Sequence, residues 1–471
     1  MFWQLLNRGT YMQILSKFKN PLYANIFILG LSGIIAKLFD FSFRAFYSRA
    51  LGAEGMGLLS LGFSLHGVML TIATAGLGIA VSKTASVYTE RGNPAAVRQC
   101  VRMAIVGVSV PALLVMLITF IFAPRIAAVI LGDIRIAPSL CTLVPSIIFM
   151  GISYCTKGCF YAIRKTLPPA SSEILEQAVK FVSIWGLLKI FLPYGVPYGC
   201  AAVFGGITIG EFSSCLYLLI WYKKAERSDF GLDCAACTAP PKSEILTKLL
   251  CVSAPCMITS LCGSLLRMQE EILLISAFKK GGMAHGDAVG MLGIMHGMVM
   301  PLLVLPLTLA GSVMSLLVPE ISRAEERGAK SLKHTAAKTY RIGISVGAAV
   351  GLFFIIFGRE ISTMLYHTQS AAYLTVCLAP LCPIMFADSL SCSMLNGMGR
   401  QMRLLIFSLS DFALRFTLIY FTVPIWKENA FAIMTAASNI FTCSLSFISV
   451  YKSVFMSNRS IRFRRTAPRK T

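Results

Sequence analysis

The chain has 471 residues, of which 56% are hydrophobic and 14% charged, and its formal net charge is +22. A mean hydropathy of +0.72 exceeds what a soluble fold of this length buries, and the charged share is about half the usual one. The basic residues lie between apolar stretches with no aromatic-basic interleaving, so the charge does not point to nucleic acid.

The N-terminal residues hold Arg8, Lys17 and Lys19 but no apolar run and no cleavage site. No signal peptide is expected, and residues 1–24 read as a cytoplasmic segment. Twelve apolar spans follow, centred near residues 35, 68, 112, 149, 181, 209, 262, 304, 349, 384, 414 and 441. Each runs roughly 17 to 27 residues, enough to cross a hydrocarbon core of ~30 Å at 1.5 Å per residue. Alternation with a period of two is absent, which excludes a β-barrel. The expected fold is all-α and polytopic, with about twelve transmembrane helices in two six-helix repeats around a central cavity.

The repeat reading rests on a returning pattern. After the second span, Ile79–Lys83 leads through a short polar helix to Arg91-Gly92, and Gly311–Gly328 does the same through Ser322 and Arg327-Gly328. A basic segment and another apolar helix stand behind each glycine. Duplication of this kind builds transporters. The expected domains are an N-lobe over 25–222 with helices one to six, and a C-lobe over 247–455 with helices seven to twelve. Residues 223–246, with Lys223, Lys224, Pro240 and Pro241, form the linker, and 456–471 form a basic tail.

Most of the 43 Lys and Arg fall on one side when the N-terminus is put in the cytoplasm. Arg91, Arg98, Lys157, Lys165 and Arg323 are among them. The bias predicts a multi-pass protein of the bacterial plasma membrane with both termini cytoplasmic. The fifteen cysteines are mostly singletons inside spans, where Cys acts as a small apolar residue. Cys234 and Cys237 form a lone C-x-x-C, too few ligands to close a tetrahedral zinc site. No metal and no cofactor are expected. Nucleophile elbow, P-loop and metal-ligand motifs are absent, which argues against an enzyme.

Ionisable residues inside spans carry the functional information, because each costs about 2.5–3.5 kcal/mol at the bilayer centre on insertion scales. Lys37, Asp40 and Arg44 follow at intervals of three and four and share one helical face. Arg49 continues the basic character outward. One carboxylate cannot neutralise two cations, so a positive remainder is expected, against a plain structural ion pair. Arg267, Glu270 and Glu271 repeat the device in the first span of the second repeat, with an intrahelical pair as the alternative. Substrate binding is expected at Lys37, Arg44, Arg49 and Arg267, and coupling or gating at Asp40, Glu270 and Glu271. A coupling H+ or Na+ is left open.

Further charged and polar positions read mainly as packing. His66 and His296 occupy corresponding second helices. Glu176 and Lys180 form an i, i+4 pair beside Glu173, and Asp411 pairs with Arg415. Pro255, Pro301, Pro306 and Pro383 predict kinks within spans.

Four strings are specific: 51–92, KGCFYAIRKTLPPASSEILEQ from Lys157, GIMHGMVMPLLVLP from Gly293, and LLVPEISRAEERG from Leu316. On these the chain resembles the stage V sporulation protein B group of polysaccharide exporters, in the multidrug/oligosaccharidyl-lipid/polysaccharide superfamily. The resemblance implies two six-helix lobes forming a V-shaped cavity open to one side of the membrane. It implies relatives among lipid II and O-antigen flippases.

The expected function is therefore alternating-access flipping of an undecaprenyl-type lipid-linked oligosaccharide or cell-wall polysaccharide precursor. The partners would be membrane lipid, that lipid-linked glycan and cell-wall synthesis enzymes, with the chain acting as a monomer. A cation-coupled multidrug exporter on the same fold, led by Asp40, stays open. So does a membrane scaffold for cell-wall synthesis that transports nothing.

Overall fold

The computed structural model describes residues 21–228, 240–314, 329–398 and 400–455, and no strand occurs among them. In chain order the helices are α1 (Pro21–Thr74), α2 (Leu77–Glu90), α3 (Pro94–Arg125), α4 (Ala137–Leu143), α5 (Ser146–Ala162), α6 (Leu167–Phe191) and α7 (Val196–Ser228). There follow α8 (Lys242–Lys280), α9 (His285–Leu292), α10 (Met300–Met314), α11 (Ala329–Tyr366), α12 (Gln369–Leu378), α13 (Cys382–Gly397) and α14 (Gln401–Phe455). Of the second copy of the repeat pattern, residues 315–328 lie outside the described residues, as do Cys234, Cys237 and the basic tail.

Among the described residues, eight helical stretches are long and apolar enough to cross a membrane, and the bent pair Ile134–Leu143 and Ser146–Ala162 makes a ninth. Two of the eight are too long for one crossing. Gly30–Glu90 has 61 residues, and a helix of that length would extend about 90 Å against a core of ~30 Å. It breaks at Gly52, where φ 67° and ψ −171° are non-helical, and again at Ala75 and Gly76, both at positive φ. Met402–Val454 breaks at Lys427, with φ 47° and ψ −114°. Leu77–Glu90, at 14 residues, is too short to cross alone. With Gly30–Glu90 divided at Gly52 and Met402–Val454 at Lys427, and with α6 counted despite Glu173, Glu176 and Lys180, twelve stretches of spanning length result among the described residues. The chain is an all-α, multi-pass membrane protein.

Local sequence explains the first polar turn. Gly92 at φ 66° ends α2, in the left-handed region that costs glycine no steric penalty. Asn93 then accepts a hydrogen bond from the Ala96 N–H at 3.0 Å, and Pro94 opens α3. An Asn cap followed by Pro at the first helical position is a favoured helix start.

The residues of α3 invert the soluble pattern. Its buried side includes Ala96, Cys100, Ala104, Val108 and Ala112, while Val106, Val110, Leu113, Leu117 and Ile121 are exposed. Small residues inside and large apolar ones outside suit a helix bathed in lipid, where close packing replaces the hydrophobic effect.

The helices form two compact units. One contains the residues through Phe43 and Leu58–Met268; the other contains Arg44–Gly57 and the residues from Gln269. The division departs from contiguous stretches 25–222 and 247–455 in two places. Residues 44–57 belong with the second unit, where the Arg49 guanidinium donates to the carbonyls of Met364 and Leu365 at 2.6 and 2.9 Å. The start of α8 belongs with the first unit, where Ile245 and Leu249 join a core with Val97, Val101, Phe160 and Leu218. There Lys248 Nζ also donates to the Tyr88 hydroxyl at 3.2 Å.

Prolines act as predicted in part. Pro255 and Pro306 lie inside helices. Pro301 follows a π-helical turn, Gly293–Val299. Pro383 opens α13 after a 3-10 turn, Ala379–Leu381, so it starts a helix there instead of bending one.

Candidate functional site

Each unit buries a group of ionisable side chains in otherwise apolar helices. In the first unit the group is built by α5, α6 and α7. Gly206 and Gly210 of α7 let that helix approach α6 closely: a Cβ at Gly210 would meet the Glu176 carbonyl at 3.1 Å, and one at Gly206 would meet Ile184 Cγ1 at 2.5 Å. The approach buries Glu211 against Glu176 and Lys180. Lys180 Nζ lies 3.1 Å from Glu176 Oε1, one turn away, and Lys157 Nζ lies 3.4 Å from Glu173 Oε1. Phe43 of α1 stacks on Phe181 with ring centroids 4.9 Å apart. That contact holds the Asp40 turn near enough for its carboxylate to act on Lys180.

Three glutamates face two lysines, and Asp40 adds a further negative charge. Buried charge of this kind survives only with partners, since desolvating an ion costs several kcal/mol. The excess of carboxylates suits a site that takes up a proton or cation.

In the second unit the group centres on Arg415 of α14. Its Nη1 donates to Glu270 Oε1 at 3.0 Å, and its Nε to Asp411 Oδ2 at 3.0 Å and to Ser438 Oγ at 2.9 Å. Ser438 Oγ in turn donates to the other oxygen of Asp411. One guanidinium therefore bridges two carboxylates from α8 and α14, with geometry fixed by its planar fork. Glu271, beside Glu270, is also buried. It lies 3.8 Å from His296 Nδ1, on the π-helical turn, and His296 Nε2 has no hydrogen-bond partner among the described residues. Single-turn π-helical insertions often mark functional positions. Among the described residues, no three His, Cys, Asp or Glu side chains are grouped as metal ligands.

The residues proposed from sequence are distributed over both groups and beyond them. Glu270 and Glu271 come together in the second unit, and Glu270 pairs with Arg415 of α14 instead of with Arg267 one turn away. Asp40 stands beside the first group. Lys37 and Arg267 are exposed, and Arg44 is half-buried near Tyr366. Arg49 serves the C-terminal carbonyls of α11, a role that a long basic side chain fills at helix ends. His66 is buried against Ser146, Nε2 to Oγ 2.9 Å, as a packing residue. Glu211 was not anticipated. A lone carboxylate in the apolar run from Val196 is itself the signal that marks it.

Comparison with known proteins agrees with this architecture. A family model described as "Polysaccharide biosynthesis protein" matches residues 22–325. The chain is 26% identical to stage V sporulation protein B of Bacillus subtilis (strain 168) over 75% of this chain and 68% of the relative. It is 22% identical to lipid II flippase MurJ of the same organism over 92% of this chain and 82% of that one. Among solved structures, an inward-facing multidrug resistance MATE family transporter of the MOP superfamily matches with TM-score 0.64 and 15% identity. That match spans 92% of this chain and 99% of that one. A MOP superfamily transporter from Pyrococcus furiosus matches with TM-score 0.66 and 14% identity over 93% and 97%.

Proposed function

We propose, for a chain that belongs to the polysaccharide biosynthesis protein family, that it flips a lipid-linked oligosaccharide or cell-wall polysaccharide precursor across the membrane by alternating access. That it is a transporter or flippase of the MOP superfamily is the premise. The observation that carries the reading furthest is the charge buried inside membrane spans in both units. Lipid gives such groups no compensation, so they mark a polar route or a switch.

Binding of the cargo's pyrophosphate is assigned to Lys37 and Arg267 of the first unit and to Arg44 of the second, each by itself. Exposed side chains at Lys37 and Arg267 support their availability. Arg49 already serves backbone carbonyls, so its share in binding would compete with that bond. Guanidinium groups suit a pyrophosphate because they bind it bidentately. The lipid tail stays in the bilayer, and no covalent step is required of the chain. Coupling would fall to the carboxylate groups: Asp40 with Glu176 and Glu211 in the first unit, Glu270 and Glu271 in the second. We place both termini in the cytoplasm of a bacterial plasma membrane on the distribution of Lys and Arg.

The carboxylate excess in both units and the likeness of fold to a multidrug resistance transporter favour a second reading, cation-coupled export of drugs. A direct test reconstitutes the full chain in vesicles and follows a fluorescent lipid-linked oligosaccharide with a membrane-impermeant quencher. Protein-dependent loss of protection supports flipping. Protection equal to that of empty vesicles opposes it.

A further inference from the structure

A cavity of about 650 Å³ in the first unit runs between α2 and α5 and shares Lys157 and Glu173 with the buried ionisable group. Two backbones meet beside it: a Cβ at Gly158 would stand 2.5 Å from the Gly78 carbonyl oxygen. Lys83 and Ser82 line one wall, and Tyr154, Lys157, Tyr161 and Glu173 line the other. We infer that this cavity binds the phosphate headgroup of a membrane lipid, with Lys83 and Lys157 as the anion-binding pair.

Charge supports the class of ligand. Lys83 is exposed and forms no ion pair among the described residues. Lys157 has a side chain only 13% exposed, and its one hydrogen bond among the described residues is the 3.4 Å contact to Glu173. An ammonium carries three donors, so two of those on Lys157 are left for a ligand. Among the charged side chains of the lining, Lys83 and Lys157 outnumber Glu173. Glu176 and Glu211 act on Lys157 from outside the cavity, so Lys83 supplies the unmatched charge, and a phosphate oxygen accepts from both lysines by charge-assisted bonds.

Shape supports an amphiphile. Tyr154 and Tyr161 are 40% and 39% exposed, and their rings give the cavity apolar walls beside the charge. The lining from Ser86 back to Ile79 lies roughly 7 to 18 Å along the helix from Arg91, at about 1.5 Å per residue. That depth suits a lipid headgroup drawn a short way into the protein. The site stands whatever cargo the chain carries, and vesicle transport does not decide it.

The test titrates the detergent-solubilised full chain with farnesyl phosphate by calorimetry. Saturable binding is expected. Lys83→Glu should weaken it by at least about tenfold, Lys83→Gln by less, and Lys83→Arg should stay within about threefold, as loss or retention of a charge-assisted contact requires. Glu173→Gln should bind at least as tightly as the native chain. Lys83 forms no ion pair among the described residues, so thermal unfolding should be unchanged in these Lys83 variants and report that they fold. Competition then identifies the source. Displacement by phosphatidylglycerol supports the site with bulk phospholipid as ligand, and resistance to it supports a polyprenyl lipid. No binding, binding indifferent to Lys83→Glu, or equal displacement by inorganic phosphate would each overturn the proposal.

Discussion

Arg415 reaches Glu270 across 145 positions of sequence, Nη1 to Oε1 at 3.0 Å, and joins α14 to α8 inside the second unit. The Glu270 side chain is 3% exposed, and the guanidinium is the partner that compensates it there. Removing one partner of such a pair strands a buried charge, which typically costs about 3–5 kcal/mol.

Arg415→Ala should therefore lower the thermal unfolding temperature markedly, because Glu270 and Asp411 lose their shared partner together. Glu270→Gln should be milder, since a neutral amide can still accept from Arg415 and no charge is stranded. Differential scanning fluorimetry in detergent checks the order. Equal effects of the two substitutions would remove the bridging role from Arg415.

Gly206 should tolerate no side chain. An added Cβ would meet Ile184 Cγ1 at 2.5 Å and the Ile184 backbone nitrogen at 2.8 Å. Backbone cannot rotate away as a side chain does, so Gly206→Ala should cost about 1–3 kcal/mol by overpacking. Unfolding and the yield of folded protein measure it. Gly186 has nothing within 4 Å of its added Cβ, and Gly186→Ala should be neutral or stabilising.

Arg49→Ala should destabilise by roughly 1 kcal/mol, the usual worth of a hydrogen bond at a partly exposed site. The reason is loss of its two bonds to the carbonyls of Met364 and Leu365. Arg49→Lys should recover part of that loss, because an ammonium reaches one carbonyl but lacks the fork. Hydrogen exchange at the end of α11 reads the effect locally.

Much of this was legible in the sequence, and the exceptions have physical reasons. Hydropathy marks spans because lipid demands apolar runs, so the twelve crossings follow from composition along the chain. The break at Gly52 carries a sequence signal, a glycine at positive φ. The break at Lys427 carries another, Pro424 and the polar run Lys427-Glu428-Asn429 between the spans centred near 414 and 441, although a lysine at φ 47° is not itself a turn signal. Glu270 and Arg415 are each conspicuous as charges within spans, but their pairing depends on which helices pack together. Sequence spacing offered Arg267 to Glu270 and Asp411 to Arg415, and only the second pair is present. Arg49 looks like a phosphate ligand by its charge, while its actual bonds are to helix-end carbonyls, which any strong donor could satisfy.

The most direct measurement of the flipping account is translocation by Arg44→Ala, Arg44→Lys and Asp40→Asn in vesicles, each with a lipid-linked anionic glycan and with a cationic drug. The account predicts that Arg44→Ala abolishes glycan flipping and Arg44→Lys keeps part of it, because Lys supplies charge without a bidentate fork. Asp40→Asn should be the milder change. The reverse order, with Asp40→Asn inactive, Arg44→Ala active and the drug as the transported species, would contradict it.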